Sequence, residues 1–206
     1  MTPAAGATEA LGLAALGPVA WYLFVMASTP GPNNAMLAAS GMNFGLRPTL
    51  PHISGIAVGF VVLLGACGYG LGVLFQEIPN AELALAVVGS AYLVYLAWRV
   101  ANAAAQTAAE GARPISFFES FGFQFLNPKG WVMALTAATL MPPLGGALET
   151  ALTLGLMGAA VGAPSMGVWA LFGAALARVF RDPRYRRLIN WTLALLLLAT
   201  IPFKFR

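Results

Sequence analysis

Charge is what this chain lacks most. Only 9% of its 206 residues are charged, against roughly 25% in an average soluble domain, while 59% are hydrophobic. A water-soluble fold of this length has no means of covering that much apolar surface. In a bilayer the same surface matches its solvent, and backbone polarity is satisfied within helices. Cysteine occurs once, at Cys67, which excludes an internal disulfide framework and any CxxC redox or zinc motif. In LLGACGYGLG it reads as a small buried apolar residue. Histidine also occurs once, at His52, so no His/Cys metal cluster and no cofactor are expected. No Walker loop is present, which leaves ATP-driven pumping without support. The first ten residues hold no Lys or Arg. The basic start of a signal peptide is therefore missing, and the segment from Leu11 onward is expected to be a retained first span.

What is present is a series of apolar runs, rich in the Gly and Pro that membrane helices tolerate. Six spans of roughly 17–25 residues are expected near Leu13–Ala38, Ile53–Phe75, Leu83–Trp98, Phe117–Leu140, Leu152–Val179 and Leu188–Phe203. A five-span arrangement with one re-entrant segment is the alternative. The fold class is thus an all-α integral membrane protein with one membrane domain over residues 1–206. The net charge of +4 belongs to the connections rather than to a nucleic-acid surface. Arg47, then Arg99 and Arg113, then Arg178, Arg181, Arg184, Arg186 and Arg187 follow spans one, three and five. The opposite side carries only Lys204 and Arg206. By the positive-inside rule the eight arginines face the cytoplasm, with a cytoplasmic loop over about 99–116, and both termini face outward. Trp21, Trp98, Tyr185 and Trp191 lie towards span ends, where amphipathic rings favour the headgroups; Trp131 is the exception.

The two halves, about 11–100 and 114–204, look alike. Span one is broken at Pro30-Gly31-Pro32-Asn33 and span four at Asn127-Pro128-Lys129-Gly130. Span two carries Gly55-Ile-Ala-Val-Gly59 and span five Gly158-Ala-Ala-Val-Gly162. Three spans per half make the repeat inverted, and matched helix breaks point to a transporter site near the midplane. Taken alone, such glycine pairs more often mean plain close helix packing.

The breaks carry the chemistry. Pro30, Pro32 and Pro128 remove backbone donors, and freed carbonyls survive at membrane depth only beside a cavity or buried protein. Asn33, Asn34 and Asn127 either cap the half-helices or hydrogen-bond a solute. Lys129 lies midway along span four, where a charge costs about 2.5–3.5 kcal/mol or more. It is expected to pair the carboxylate of a substrate; the alternative is donation to broken-helix carbonyls. Gln124 is expected to face the bundle interior. Glu119 and His52 are weaker candidates: Glu119 is read as solvated or interfacial and His52 as a helix-start or interfacial residue, with proton coupling the alternative. No nucleophile–base pair is visible within the spans, which counts against a membrane hydrolase.

Thr29-Pro-Gly-Pro-Asn-Asn34, Phe44-Gly-Leu-Arg47, Tyr92-Leu-Val-Tyr-Leu-Ala-Trp98, Arg113-Pro-Ile-Ser-Phe117 and Gln124-Phe-Leu-Asn-Pro-Lys129 together resemble the LysE/RhtB family of amino-acid exporters. The resemblance runs from about Trp21 to Phe203. It implies a bacterial inner-membrane permease driven by the proton gradient, with the break residues Pro30, Gly31, Pro32, Asn33, Asn34, Gln124, Asn127, Pro128 and Lys129 as its substrate site. TPGPNN, PISF and FQF are most similar to the cysteine and O-acetylserine branch. The lysine-exporting branch often carries Asp where this chain has Phe60, so a small neutral amino acid is the expected solute. Its other expected partners are the lipid bilayer and, compatible with this reading, a second copy of the chain; nucleic acid is not one. A divalent-metal exporter of related fold and a membrane enzyme or scramblase are the competing readings.

Reporter fusions at Arg47, Ala104 and Arg184 are expected to report a cytoplasmic location, and a fusion after Arg206 an external one. A cytoplasmic C-terminus together with those cytoplasmic loops is incompatible with six spans.

Overall fold

The computed structural model describes residues 15–103 and 113–201, together with all side chains there except that of Gln76. Every regular element among them is a helix. In order these are α1 (Gly17–Ser28), α2 (Pro32–Phe44), α3 (Leu46–Tyr69), α4 (Leu71–Glu77), α5 (Ala81–Ala101), α6 (Phe117–Gln124), α7 (Pro128–Leu140), α8 (Ala147–Val179) and α9 (Pro183–Leu198). Three of them, α3, α5 and α8, are long and apolar enough to cross a membrane. At 1.5 Å per residue, the 33 residues of α8 reach about 50 Å, so this helix tilts or extends beyond the hydrocarbon layer.

The expected breaks are real: span one divides into α1 and α2, span four into α6 and α7. Several boundaries differ from expectation. The first span continues to Phe44 rather than ending at Ala38, because Asn33, Asn34 and Ser40 are buried inside the bundle and their polarity does not mark a surface. Span two begins at Leu46 rather than Ile53 and ends at Tyr69 rather than Phe75. A single residue, Gly45 at φ 81°, separates α2 from α3, so Arg47 sits in a first helical turn and not in a loop. Gly70, at φ 109°, makes the left-handed turn into α4 that the apolar run concealed. Both angles favour glycine. The last helix starts at Pro183, where Asp182 caps the Arg184 amide; Arg184, Arg186 and Arg187 are therefore helical, and the pattern of capping Asp followed by Pro was the overlooked signal. The starts and ends expected at Leu13 and Phe203, much of the 99–116 loop and the Lys204–Arg206 tail lie outside the described residues.

The centre is α8, which packs on α1, α2 and α3. α3 also receives α6 and α7, and α5 pairs with α9. Close approach depends on glycine. A Cβ at Gly41 of α2 would overlap the Ala170 carbonyl of α8, and one at Gly173 of α8 would overlap the Ala38 carbonyl of α2. Gly55 and Gly59 do the same for α3 against α6. The second glycine pair does not mirror the first: Gly158 meets Leu64 of α3, and Gly162 meets Met166 of its own helix. Outside this core, Val58, Val62, Leu152, Leu156, Val168 and Leu195 are all exposed. A continuous apolar skin of that kind is matched by lipid and not by water.

Gly173→Val is expected to wedge α2 from α8, where the obstacle is backbone that cannot rotate away. Overpacking of this kind costs about 1–3 kcal/mol, read as a lower melting temperature in detergent. Gly167, with nothing within 4 Å of its added Cβ, tolerates Ala with no such loss.

Candidate functional site

A helix that stops inside a membrane leaves its last carbonyls without intrahelical partners. At the end of α1 these groups are taken up one by one. The Thr29 amide donates to Val25 O and the Thr29 hydroxyl to Met26 O, both at 3.0 Å. Asn34 Nδ2 donates to Ala27 O and to Thr29 O, each at 2.8 Å. Ser165 Oγ, from α8, adds a 3.0 Å bond to Ala27 O. Lys129 Nζ reaches across from span four to Thr29 O (3.1 Å), Thr29 Oγ1 (3.0 Å) and Pro30 O (3.4 Å). Asn34 is thus a capping residue, turned back on its own break. Thr29 and Ser165 are partners at this break that sequence reasoning passed over; both are ordinary hydroxyls, one just after α1 and one inside α8, and only their contacts distinguish them.

The second break is closed differently. Leu126 N and Asn127 N fold back on Phe123 O and Gln124 O in tight turns, and Trp131 Nε1 donates to Phe125 O at 2.9 Å. This explains the tryptophan that lay away from a span end. Pro128 and Pro32 each occupy the first turn of a half-helix, where no intrahelical donor is lost.

The residues after these two prolines reach for the opposite break. Lys129 goes to Thr29 and Pro30, as above. Asn33 Nδ2 donates to Gln124 Oε1 at 2.8 Å, and Gln124 Nε2 returns a 3.2 Å bond to Asn33 Oδ1. Gln124 is fully buried, held also by Ser120 O at 2.8 Å.

Between the breaks lies a cavity of about 30 Å³ lined by Gly31, Pro32, Asn33, Asn34, Asn127 and Lys129, room for roughly two waters. Seven of the nine expected site residues are grouped around it or, for Gln124, bonded directly to its wall. Pro30 and Pro128 do not line it. Its apolar wall was missed from the sequence: Met26, Met133 and Met166 with Ile56 and Phe60. Only Phe60 carried a signal, through the acidic residue other branches place there. Among the lining residues, Asn127 has its side-chain oxygen, Oδ1, buried without a hydrogen bond. Among the described residues no ion pair involves Lys129, and no group of His, Cys, Asp and Glu is placed to hold a metal.

Glu119 and His52 lie towards the arginine end. Glu119 closes a capping box with Ser116 and bridges Arg99 at 2.8 Å and Arg113 at 2.6 Å. Its hydrogen bonds raise the Arg113 pKa above the usual guanidinium value. His52, in the second turn of α3, is fully buried, with Nδ1 3.0 Å from Ser40 Oγ.

A model of the LysE type translocator family matches residues 24–200. The chain belongs to that family. Two relatives of this translocator are each called a cysteine/O-acetylserine efflux protein. The one from Klebsiella pneumoniae is 34% identical over 177 residues, covering 85% of this chain and 89% of the relative. The one from Escherichia coli K12 is 35% identical over 178 residues, covering 85% and 90%. No solved structure matches it. The translocator is thus similar over most of its length to efflux proteins, and its apolar helices fit a membrane-embedded role.

Asn34→Leu removes two short bonds to break carbonyls that Ser165 and Lys129 replace only in part. Leaving such groups under-satisfied costs about 1–3 kcal/mol. The variant is expected to insert normally but melt at lower temperature in detergent and lose transport; unchanged melting would show that the break is already open to water.

Proposed function

We propose that this translocator is a secondary exporter of small neutral amino acids or their derivatives, with the break cavity as its substrate site. The observation that carries this reading is a cavity with one ammonium, Lys129, and one unpartnered buried acceptor, Asn127 Oδ1. A zwitterion supplies the complement of each: its carboxylate for Lys129, its own ammonium for Asn127. The apolar wall of methionines and Phe60 suits a short uncharged side chain. A cationic side chain or a divalent metal ion meets Lys129 with the wrong sign, which weighs against both a lysine exporter and a metal exporter. The names of the relatives favour cysteine and O-acetylserine. Proton antiport and an inner-membrane location rest on the family resemblance, and the cytoplasmic placing of the arginine end rests on the charge count.

An inverted 3+3 arrangement supports alternating access. Pro32 and Pro128 start α2 and α7, and the next residues, Asn33 and Lys129, each clasp the opposite break. Spans two and five, as α3 and α8, pair with each other, as do spans three and six, as α5 and α9. On this reading the two clasps part in turn as the cavity opens to one side and then the other.

The competing role for Lys129 has support of its own, because all three ammonium donors have acceptors at the first break. Substrate binding requires it to trade the 3.4 Å bond to Pro30 O for a carboxylate oxygen. A hydrogen bond to a charged group is worth about 1.5–3 kcal/mol, or roughly 10–100-fold in affinity. In vesicles, Lys129→Met is expected to weaken cysteine by that factor and cysteinamide, which lacks the carboxylate, very little. Lys129→Arg, a planar fork in place of a compact ammonium, recovers only part. Equal loss for acid and amide would make Lys129 a purely structural brace.

A further inference from the structure

A second pocket, of about 20 Å³, lies at the arginine end, outside the site described above. Arg99, Arg113, Met36, Ser40, Phe44 and Ile115 are among its lining residues, and Glu119 is not one of them. The balance of donors and acceptors here is uneven. Glu119 is saturated: Oε1 accepts from Arg99 and Arg113, and Oε2 from Arg113 and the Ser116 amide. A guanidinium has five N–H donors, and among the described residues Arg99 uses one, at 2.8 Å. Two cations share one carboxylate, and the Arg99 side chain is only 14% exposed. Among the described residues, the surplus is one positive charge and several donors on a recessed, otherwise mostly apolar wall, a combination suited to a carboxylate bearing a short side chain.

The pocket is also on the way to the cavity. Asn33, Met36, Ser40 and Phe44 are spaced three, four and four residues apart, so they share one face of α2. Met36, Ser40 and Phe44 line the outer pocket, and Asn33 lines the break cavity. The buried Asn33–Gln124 clasp stands at the inner end of that face.

We propose that the Arg99–Arg113 pocket is a second binding site for the α-carboxylate of the transported amino acid, occupied before the solute reaches the break cavity. This rests on the export reading, and the test separates the two. The full chain is placed in nanodiscs of zwitterionic lipid, and equilibrium binding of cysteine and cysteinamide is compared. Lys129→Met cripples the cavity site and is expected to leave weaker binding that still prefers cysteine. Adding Arg113→Gln, a change at a half-exposed side chain outside any helix, is expected to weaken that remainder about tenfold, the scale of one charge-assisted hydrogen bond. Arg99→Gln in the same background is expected to weaken it at least as much. Loss of all preference for cysteine in Lys129→Met alone would overturn the second site and leave the export reading standing. Residual binding that ignores both arginine substitutions, or that vanishes when anionic lipid is mixed in, assigns the arginines to Glu119 or to lipid phosphates and rejects the proposal. A wild-type protein that binds neither compound rejects the export reading itself.

Discussion

The carbonyls at the end of α1 have no further helical turn to satisfy them, and much of the molecule is arranged around supplying other donors. Each unsatisfied backbone group in hydrocarbon costs several kcal/mol. The groups that meet the need come from three separated stretches of chain: Asn34 from α2, Ser165 from α8 and Lys129 from α7. The break therefore ties span one to spans four and five. The same helix α8 that packs closely on α2 through Gly41 and Gly173 also packs on α1, where Ser165 lies 3.0 Å from Ala27 O.

A brace of this kind is also an exchangeable one. Carbonyl oxygens are neutral acceptors, and a carboxylate forms hydrogen bonds roughly twice as strong with the same ammonium. On the proposed reading, Lys129 is held in position by partners weak enough to be displaced by a substrate, at little risk to the fold because the bond given up is to Pro30 O, at an exposed residue, while Asn34 also holds Thr29 O. The Asn33–Gln124 clasp has similar character: two neutral amide bonds, buried, with no charge to strand when they part. Among the described residues, charge pairing appears only at Glu119, towards the arginine end.

What the sequence disclosed was what membrane physics makes expensive. Prolines in mid-span, a lysine at depth and a tryptophan away from the headgroups were all conspicuous, and each has a role at a break. Cheap features were not conspicuous. Met26, Met133 and Met166 look like any apolar residue of a span, and nothing in their type says that they face a cavity. Helix ends were misjudged for a related reason: at Gly45 and Gly70 the chain turns in one residue without any polar loop, so the run of hydropathy continues across the turn. The glycine pairs are not alike in their contacts. Gly55, Gly59 and Gly158 each lie against a neighbouring helix, whereas Gly162 meets only Met166 of its own helix; in a chain with 23 glycines, similar spacing does not require equivalent contacts.

Gly31 shows how closely the two breaks are fitted. Its φ of −176° is extended backbone open to any residue, so conformation does not demand glycine there. Space does. A Cβ on Gly31 would lie 2.9 Å from Lys129 Nζ and 3.0 Å from its Cδ, so the lysine stem rests on the bare backbone of the first break. A side chain at position 31 would lift the ammonium away from Thr29 O, and with it the contact joining the two breaks. The glycine between the two prolines is explained by a lysine in the other half of the chain, and neither residue's role is complete without the other.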